Sequence, residues 1–276
     1  MRSLRLAVAQ PQVLVDPHQN GATVRRLMRQ AAASGARLIQ FPEGMLSGYA
    51  KAQVHDWKTV DFAVVRSELE AIATLAAELS VWVVLGSAHP LTPPHRPHNS
   101  LYVIADDGRL VDRYDKRMLS ESEVTRFYTP GFQPVVFEID GCRFGLAICV
   151  EINFPDLFIE FERLDVDCVL VSAYPVDSIF AVKARGYAAI HNYWLTLSVP
   201  AQSKDLFPST LIGPDGQVLD QVGPDAEMAI AELDPLEPQS QHAVSVKRSW
   251  RAMARQGQIY EDHRVVDPRS DVRTAF

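Results

Sequence analysis

Cysteine is scarce in this chain. Only Cys142, Cys149 and Cys168 occur in 276 residues, too few and too odd in number for a disulfide framework, so each must be explained by packing or by reactivity. Long apolar runs are also missing: nowhere do about 18 uncharged apolar residues follow one another, as a membrane-spanning helix would require. Positive charge is in deficit. With 27 Lys and Arg against 34 Asp and Glu, the formal net charge is −7, and no cluster of cations offers the phosphate-binding surface that a nucleic-acid partner needs. The expected partner is a small molecule. The N-terminal apolar stretch is too short for a signal peptide, which points to a cytoplasmic protein. No Gly/Ser-rich or charge-rich linker interrupts the hydrophobic segments, so residues 1–276 read as one domain.

What is present is an alternation of strand and helix patterns. Leu4 to Ala9 reads as a strand, Asn20 to Ala33 carries Val24, Leu27, Met28 and Ala31 at helical spacing, and Leu38 to Phe41 reads as a second strand. A helix with Leu69, Ile72, Leu75, Ala76 and Leu79 on one face leads into the buried strand Val81 to Leu85. The Asp106-Asp107-Gly108 turn joins strands at Leu101 to Ile104 and Leu110 to Tyr114, so the sheet is mixed. The second half repeats the theme. Strands fall at Val135 to Ile139, Arg143 to Ile148, Cys168 to Ser172, Leu195 to Val199, Thr210 to Ile212 and Val218 to Val222, with helices at Asp156 to Arg163 and Phe180 to His191. From Asp234 the pattern fades. Residues 234–276 form a polar tail with Trp250 and Tyr260 as scattered anchors, suited to contact with another surface or subunit.

Three reactive side chains stand at the ends of expected strands, where α/β sheets commonly place ligand and catalytic groups. Pro42 cannot donate to a ladder, so its strand should stop there and project Glu43 from the end, followed by the flexible Gly44. Glu43 then suits a general base, although an exposed loop carboxylate is equally compatible with the position. Cys149 ends the strand Phe144 to Ile148 among the polar Glu151 and Asn153, whereas Cys142 and Cys168 read as small buried hydrophobes. Lys116 follows the strand Leu110 to Tyr114. Alone it reads as a solvated lysine; beside Cys149 it could stabilise a thiolate and an oxyanion. Tyr49 and Tyr174 follow strand-end segments and are candidates for either pocket wall or core.

The segments Phe41-Pro42-Glu43-Gly44, Tyr114-Asp115-Lys116-Arg117 and Gly145-Leu146-Ala147-Ile148-Cys149-Val150-Glu151-Ile152-Asn153-Phe154-Pro155-Asp156 together resemble the nitrilase superfamily of carbon–nitrogen hydrolases. Ala9-Gln10, Asn20, Gly86-Ser87, Asn99-Ser100, Pro130-Gly131 and Gly213-Pro214-Asp215-Gly216 extend the likeness until about residue 234. The resemblance implies a four-layer αββα sandwich, two mixed β-sheets packed face to face with helices outside. It also implies no cofactor and no metal, pairing into a homodimer or larger assembly, and a catalytic set mapping onto Glu43, Lys116 and Cys149. A second glutamate is implied between the lysine and Pro130-Gly131; Glu123 is favoured, with Glu121 as the substitute. Under this reading Cys149 forms a thioester acyl-enzyme, with Lys116 and the Val150 N–H at the oxyanion. Val150 stands where dedicated nitrilases carry an aromatic, which favours an amidase or N-carbamoyl-amide hydrolase over a nitrilase.

Other readings compete. A Cys–His hydrolase would recruit His191-Asn192, and a metal loop would use His89, His95 and His98 of the Pro-rich stretch, although nothing there supplies a tetrahedral set and a flexible surface loop is the expectation. A catalytically silent binding or assembly subunit would keep the fold, but retention of all three catalytic residue types argues against it.

Overall fold

A computed structural model describes residues 3–274. Its strands are β1 (Leu4–Ala9), β2 (Leu38–Gln40), β3 (Trp82–His89), β4 (His98–Ile104), β5 (Leu110–Asp115), β6 (Val136–Ile139), β7 (Cys142–Ile148), β8 (Cys168–Ser172), β9 (Trp194–Ser198), β10 (Thr210–Ile212), β11 (Val218–Gln221) and β12 (Met228–Leu233). They build two six-stranded sheets, in the orders β12-β1-β2-β3-β4-β5 and β11-β10-β9-β8-β7-β6. Both are mixed. β1, β2 and β3 run parallel while β12, β4 and β5 join antiparallel; β7, β8 and β9 run parallel with antiparallel flanks.

Alternation along the strands explains the layering. On β1, Leu4, Leu6 and Val8 join the core between the sheets, with Leu38, Val84, Leu101, Phe144, Leu146 and Leu170. The intervening Ala7 and Ala9 face outward and leave room for the apolar stripe Val24, Leu27, Met28 and Ala31 of α1 (Pro17–Ala33), beside which α2 (Phe62–Leu79) inserts Ile72 and Leu75. Asp16 and Asp61 cap these helices by accepting the N–H groups of His18 and Ala63, each at 2.9 Å. On the other side, α3 (Pro155–Arg163) and α4 (Ile179–His191) cover the second sheet with Phe158, Phe161, Ala184 and Ala188. The four-layer αββα sandwich is thus the architecture of the chain.

A polar seam crosses this core. Gln40 Nε2 donates to Ser172 Oγ (3.1 Å), Thr196 Oγ1 donates to Gln40 Oε1, and Ser172 Oγ donates to the Phe41 carbonyl (2.8 Å). All of these side chains are buried. Directional bonds between otherwise greasy faces fix how the two sheets slide against each other, and they do so next to the loop that carries Glu43.

Three departures from the sequence pattern stand out. β12 was not anticipated: Met228–Leu233 is mostly half-buried, with Glu232 exposed, and is recruited as a strand by pairing with β1. The tail is not structureless but winds through helical turns over Pro238–Gln241, His242–Arg248 and Ser249–Gln256. Its anchors are arginines instead of aromatics. Arg248 binds Asp165 and Asp167 (2.9 and 2.8 Å), Arg251 binds the carbonyls of Ala189 and Ile190 at the end of α4, and Arg255 binds Glu162 (2.7 Å). Trp250 and Tyr260 remain about half exposed. Finally, His89 and His98 lie opposite each other on β3 and β4 and not in a flexible loop.

Candidate active site

Glu43, Lys116 and Cys149 follow β2, β5 and β7 at the same edge of the sandwich. Two close backbone approaches shape it. A Cβ on Gly86 would meet the Pro42 carbonyl oxygen at 2.2 Å, and one on Gly131 would meet the Asp115 carbonyl oxygen at 2.2 Å. Only glycine lets the Glu43 loop cross β3 and lets the chain after Pro130 lie on the end of β5, where Gly131 N–H donates to the Lys116 carbonyl (2.9 Å).

The charged groups are sealed. Glu43 is 0% exposed, Lys116 1% and Glu123 1%, while Cys149 retains 7%. Lys116 Nζ lies 2.9 Å from Glu43 Oε1 and 2.8 Å from Glu123 Oε1, one ammonium between two carboxylates. The remaining acceptor capacity is used. Asn99 Nδ2 and the Tyr174 N–H donate to Glu43 (2.7 and 2.8 Å), and the Ser120 N–H and Tyr49 hydroxyl donate to Glu123 (2.8 and 3.3 Å). Such pairing is what makes buried charge tolerable. Glu121, by contrast, is exposed, so the geometry brings Glu123 and not Glu121 to the lysine.

Cys149 adopts φ +51°, a left-handed conformation that a residue with a Cβ seldom takes, at the start of a 3-10 turn over Cys149–Asn153. Its thiol donates to the Tyr174 carbonyl (3.7 Å). The peptide of Tyr174 therefore contacts both the sulfur, through its carbonyl, and Glu43, through its N–H. Burial, reinforced by Glu43, pushes the Cys149 thiol well above its ordinary pKa despite the opposing Lys116. For Lys116, burial favours the neutral amine, yet Glu43 and Glu123 outweigh it and hold the ammonium well above its usual range. At neutral pH the arrangement is a thiol beside an ion-paired lysine.

Tyr49 and Tyr174 stack with ring centroids 4.9 Å apart, and Gln53 Nε2 donates to the Tyr174 hydroxyl (3.2 Å) while its Oε1 accepts the Tyr49 N–H (3.2 Å). These rings form one aromatic plate beside Glu123 and Cys149. Val150 is half-buried in the turn that follows the cysteine.

Sequence inspection missed several of these partners. Asn99 carried a readable signal, a polar side chain in the wholly buried strand His98–Ile104; Gln53 carried none. His191 goes elsewhere: it bonds Glu162 (2.6 Å) at the end of α4, and the thiol of Cys149 turns to a backbone carbonyl instead. His89 accepts from Arg113 Nη1 (2.7 Å) and donates through Nδ1 to Tyr102 (2.7 Å), and His98 bonds the Thr129 carbonyl (2.7 Å). Among the described residues no group of three or more His, Cys, Asp or Glu is placed to hold a metal ion.

Comparison with known proteins bears on the family and the fold. Residues 5–241 match the family described as carbon–nitrogen hydrolase. The chain is 25% identical over 251 residues to the omega-amidase of Bos taurus, covering 85% of this chain and 90% of that protein, and 26% identical over 261 residues to a hydrolase of Mycobacterium tuberculosis, covering 84% and 89%. In structure it resembles an amidase of the nitrilase superfamily from Nesterenkonia (TM-score 0.75, 20% identity, 90% of this chain and 97% of that one). It also resembles Nit3 of Saccharomyces cerevisiae, a member of branch 10 of that superfamily (TM-score 0.75, 20% identity, 91% and 97%). The motifs, the two-sheet sandwich and the match over most of its length make this chain a carbon–nitrogen hydrolase of the nitrilase superfamily.

Proposed function

We propose that this hydrolase opens the C–N bond of a small amide or N-carbamoyl compound through a thioester on Cys149. The observation that carries the reading is the shared Tyr174 peptide, which holds the thiol and the Glu43 carboxylate against one planar group while Lys116 bridges Glu43 and Glu123. Since the thiol is protonated at rest, Glu43 takes its proton as the sulfur attacks the carbonyl carbon. The developing oxyanion meets Lys116 and the N–H of Val150, in a site where little water competes. Glu43 hands that proton to the nitrogen, and ammonia or an amine leaves as the C–N bond breaks. A water deprotonated by Glu43 then attacks the thioester, and the acid is freed as the Cys149 sulfur leaves and takes the proton back from Glu43. Glu123 keeps the ammonium of Lys116 in place, and the Tyr49–Tyr174 plate bounds the acyl side of the substrate.

Two comparisons support an amide substrate: the omega-amidase relatives, and the Nesterenkonia amidase, a mutant of which is known in complex with butyramide. The test is ammonia release from short aliphatic amides, N-carbamoyl compounds and nitriles, comparing wild type with Cys149→Ala. Amides or N-carbamoyl compounds should lead, nitriles should lag, and the substitution should remove at least about 10³-fold of the rate. A fully active Cys149→Ala protein would overturn the nucleophile assignment. A folded wild type inactive on every class would favour a binding subunit.

A further inference from the structure

One buried charge beside the site takes no part in these steps. Glu151 lies two residues beyond Cys149, is 0% exposed, and its oxygens take their hydrogen bonds from Tyr114, Arg117, Met118 and Ile148, not from the Lys116 ammonium or the thiol. Its Oε1 accepts three donors: the Tyr114 hydroxyl (2.7 Å), the Arg117 N–H (2.7 Å) and the Met118 N–H (3.0 Å). Its Oε2 accepts the Ile148 N–H (2.7 Å). Tyr114, Arg117 and Met118 bracket Lys116, and Ile148 immediately precedes Cys149.

The donors come from opposite sheets, the first three from the end of β5 and the fourth from the end of β7. Arg117 and Met118 lie beyond the β5 ladder, so their N–H groups need another acceptor, and a carboxylate with two acceptor-only oxygens can serve all four donors at once. An amide could not, because one of its two ends would present N–H to N–H. The left-handed backbone of Cys149 adds a reason for such a clamp, since an unfavourable conformation persists only where its surroundings over-determine it.

We infer that Glu151 is a positioning residue, a single carboxylate that ties the lysine-bearing strand end to the turn carrying the nucleophile and so sets the distance between Lys116 and Cys149. It touches no substrate. This inference rests on the proposed hydrolase reading, and its test is built so that the two can fail separately.

The full chain is prepared as Glu151→Gln, Tyr114→Phe and Cys149→Ala, with folding monitored by circular dichroism and thermal unfolding. Turnover per folded molecule is measured on the best amide of the panel. Glu151→Gln should lower kcat by about 100-fold with KM within about threefold of wild type, the loss expected for misplacing reacting groups by roughly an ångström. Tyr114→Phe deletes one of the four donors and keeps the ring, and should lower kcat by about fivefold. Alkylation of Cys149 by iodoacetamide should slow in both. A purely structural role would lower the melting temperature but leave kcat per folded molecule at the wild-type value, and that result overturns the inference. If Glu151→Gln does not fold, Tyr114→Phe decides alone: unchanged kcat rejects the clamp. Wild-type turnover in Cys149→Ala would instead reject the hydrolase reading, and the clamp with it.

Discussion

At the scale of single residues, the proposed chemistry turns on a thiol that burial and neighbouring carboxylates keep protonated. The sulfur of Cys149 sits in a site with two carboxylates and one ammonium, and burial acts in the same direction as the excess negative charge. Both favour the neutral thiol. A raised pKa means that the thiolate fraction grows only as pH rises beyond the ordinary cysteine range. Iodoacetamide alkylation of Cys149 should therefore accelerate continuously from pH 6 to about 9 without the plateau of a low-pKa cysteine. A plateau near pH 6 would mean a preformed thiolate and would contradict the general-base step. Glu43 and Lys116 were legible because Pro42 and the end of a strand mark where side chains leave a sheet. Glu123 is favoured over Glu121 in the sequence, and the turn at Glu123–Phe127 places Glu123 inward and leaves Glu121 in solvent.

At the scale of elements, the site depends on how closely loops cross strands. β3 continues beneath the Glu43 loop because Gly86 has no Cβ. Gly86→Ala should push Pro42 and Glu43 outward, destabilising the fold by about 1–3 kcal/mol as overpacking does, and lowering kcat more than a comparable loss of stability elsewhere would. Denaturant midpoints and steady-state rates, compared with those of Gly223→Ala, check this. A Cβ at Gly223 meets nothing within 4 Å, so that control should be nearly silent. The long helices and most core strands could be read in advance because their periodicity reflects faces that must be buried. The first helix begins at Pro17, three residues before the apolar pattern from Asn20 suggests, because Asp16 caps it, and α2 begins at Phe62 because Asp61 does. β12 was illegible, since its strand character comes from pairing with β1 and not from its own alternation.

At the scale of the whole molecule, the arginine-pinned tail leaves Val246, Trp250 and Met253 about half exposed, beside the end of α4 where Ile190 is similarly exposed, and Ile179 and Val182 are exposed elsewhere on the same helix. We expect this face to be covered by a second copy of the chain. Sedimentation equilibrium should then return at least twice the 30.8 kDa chain mass, and Val182→Glu combined with Trp250→Glu should shift it towards one. A single-chain mass for the wild type would remove the expectation. The tail arginines were passed over at first because charged residues ordinarily mark solvent. Here Arg248, Arg251 and Arg255 are directed inward by Asp165, Asp167, the carbonyls ending α4 and Glu162.

The order of the strands and helices up to Val222, the strand ends bearing Glu43, Lys116 and Cys149, and the family to which they belong were determined by the sequence alone, because periodicity, proline and glycine act locally along the chain. Which carboxylate meets Lys116, that Tyr174 serves both Glu43 and Cys149, and that Glu151 binds donors from both sheets were decided only by tertiary structure. Glu43 and Tyr174 lie 131 residues apart and Tyr114 and Glu151 37 apart, and their meeting depends on how two sheets slide and lock across a buried polar seam, whereas Glu123, seven residues from Lys116, is turned towards it by the local winding of the chain at Glu123–Phe127.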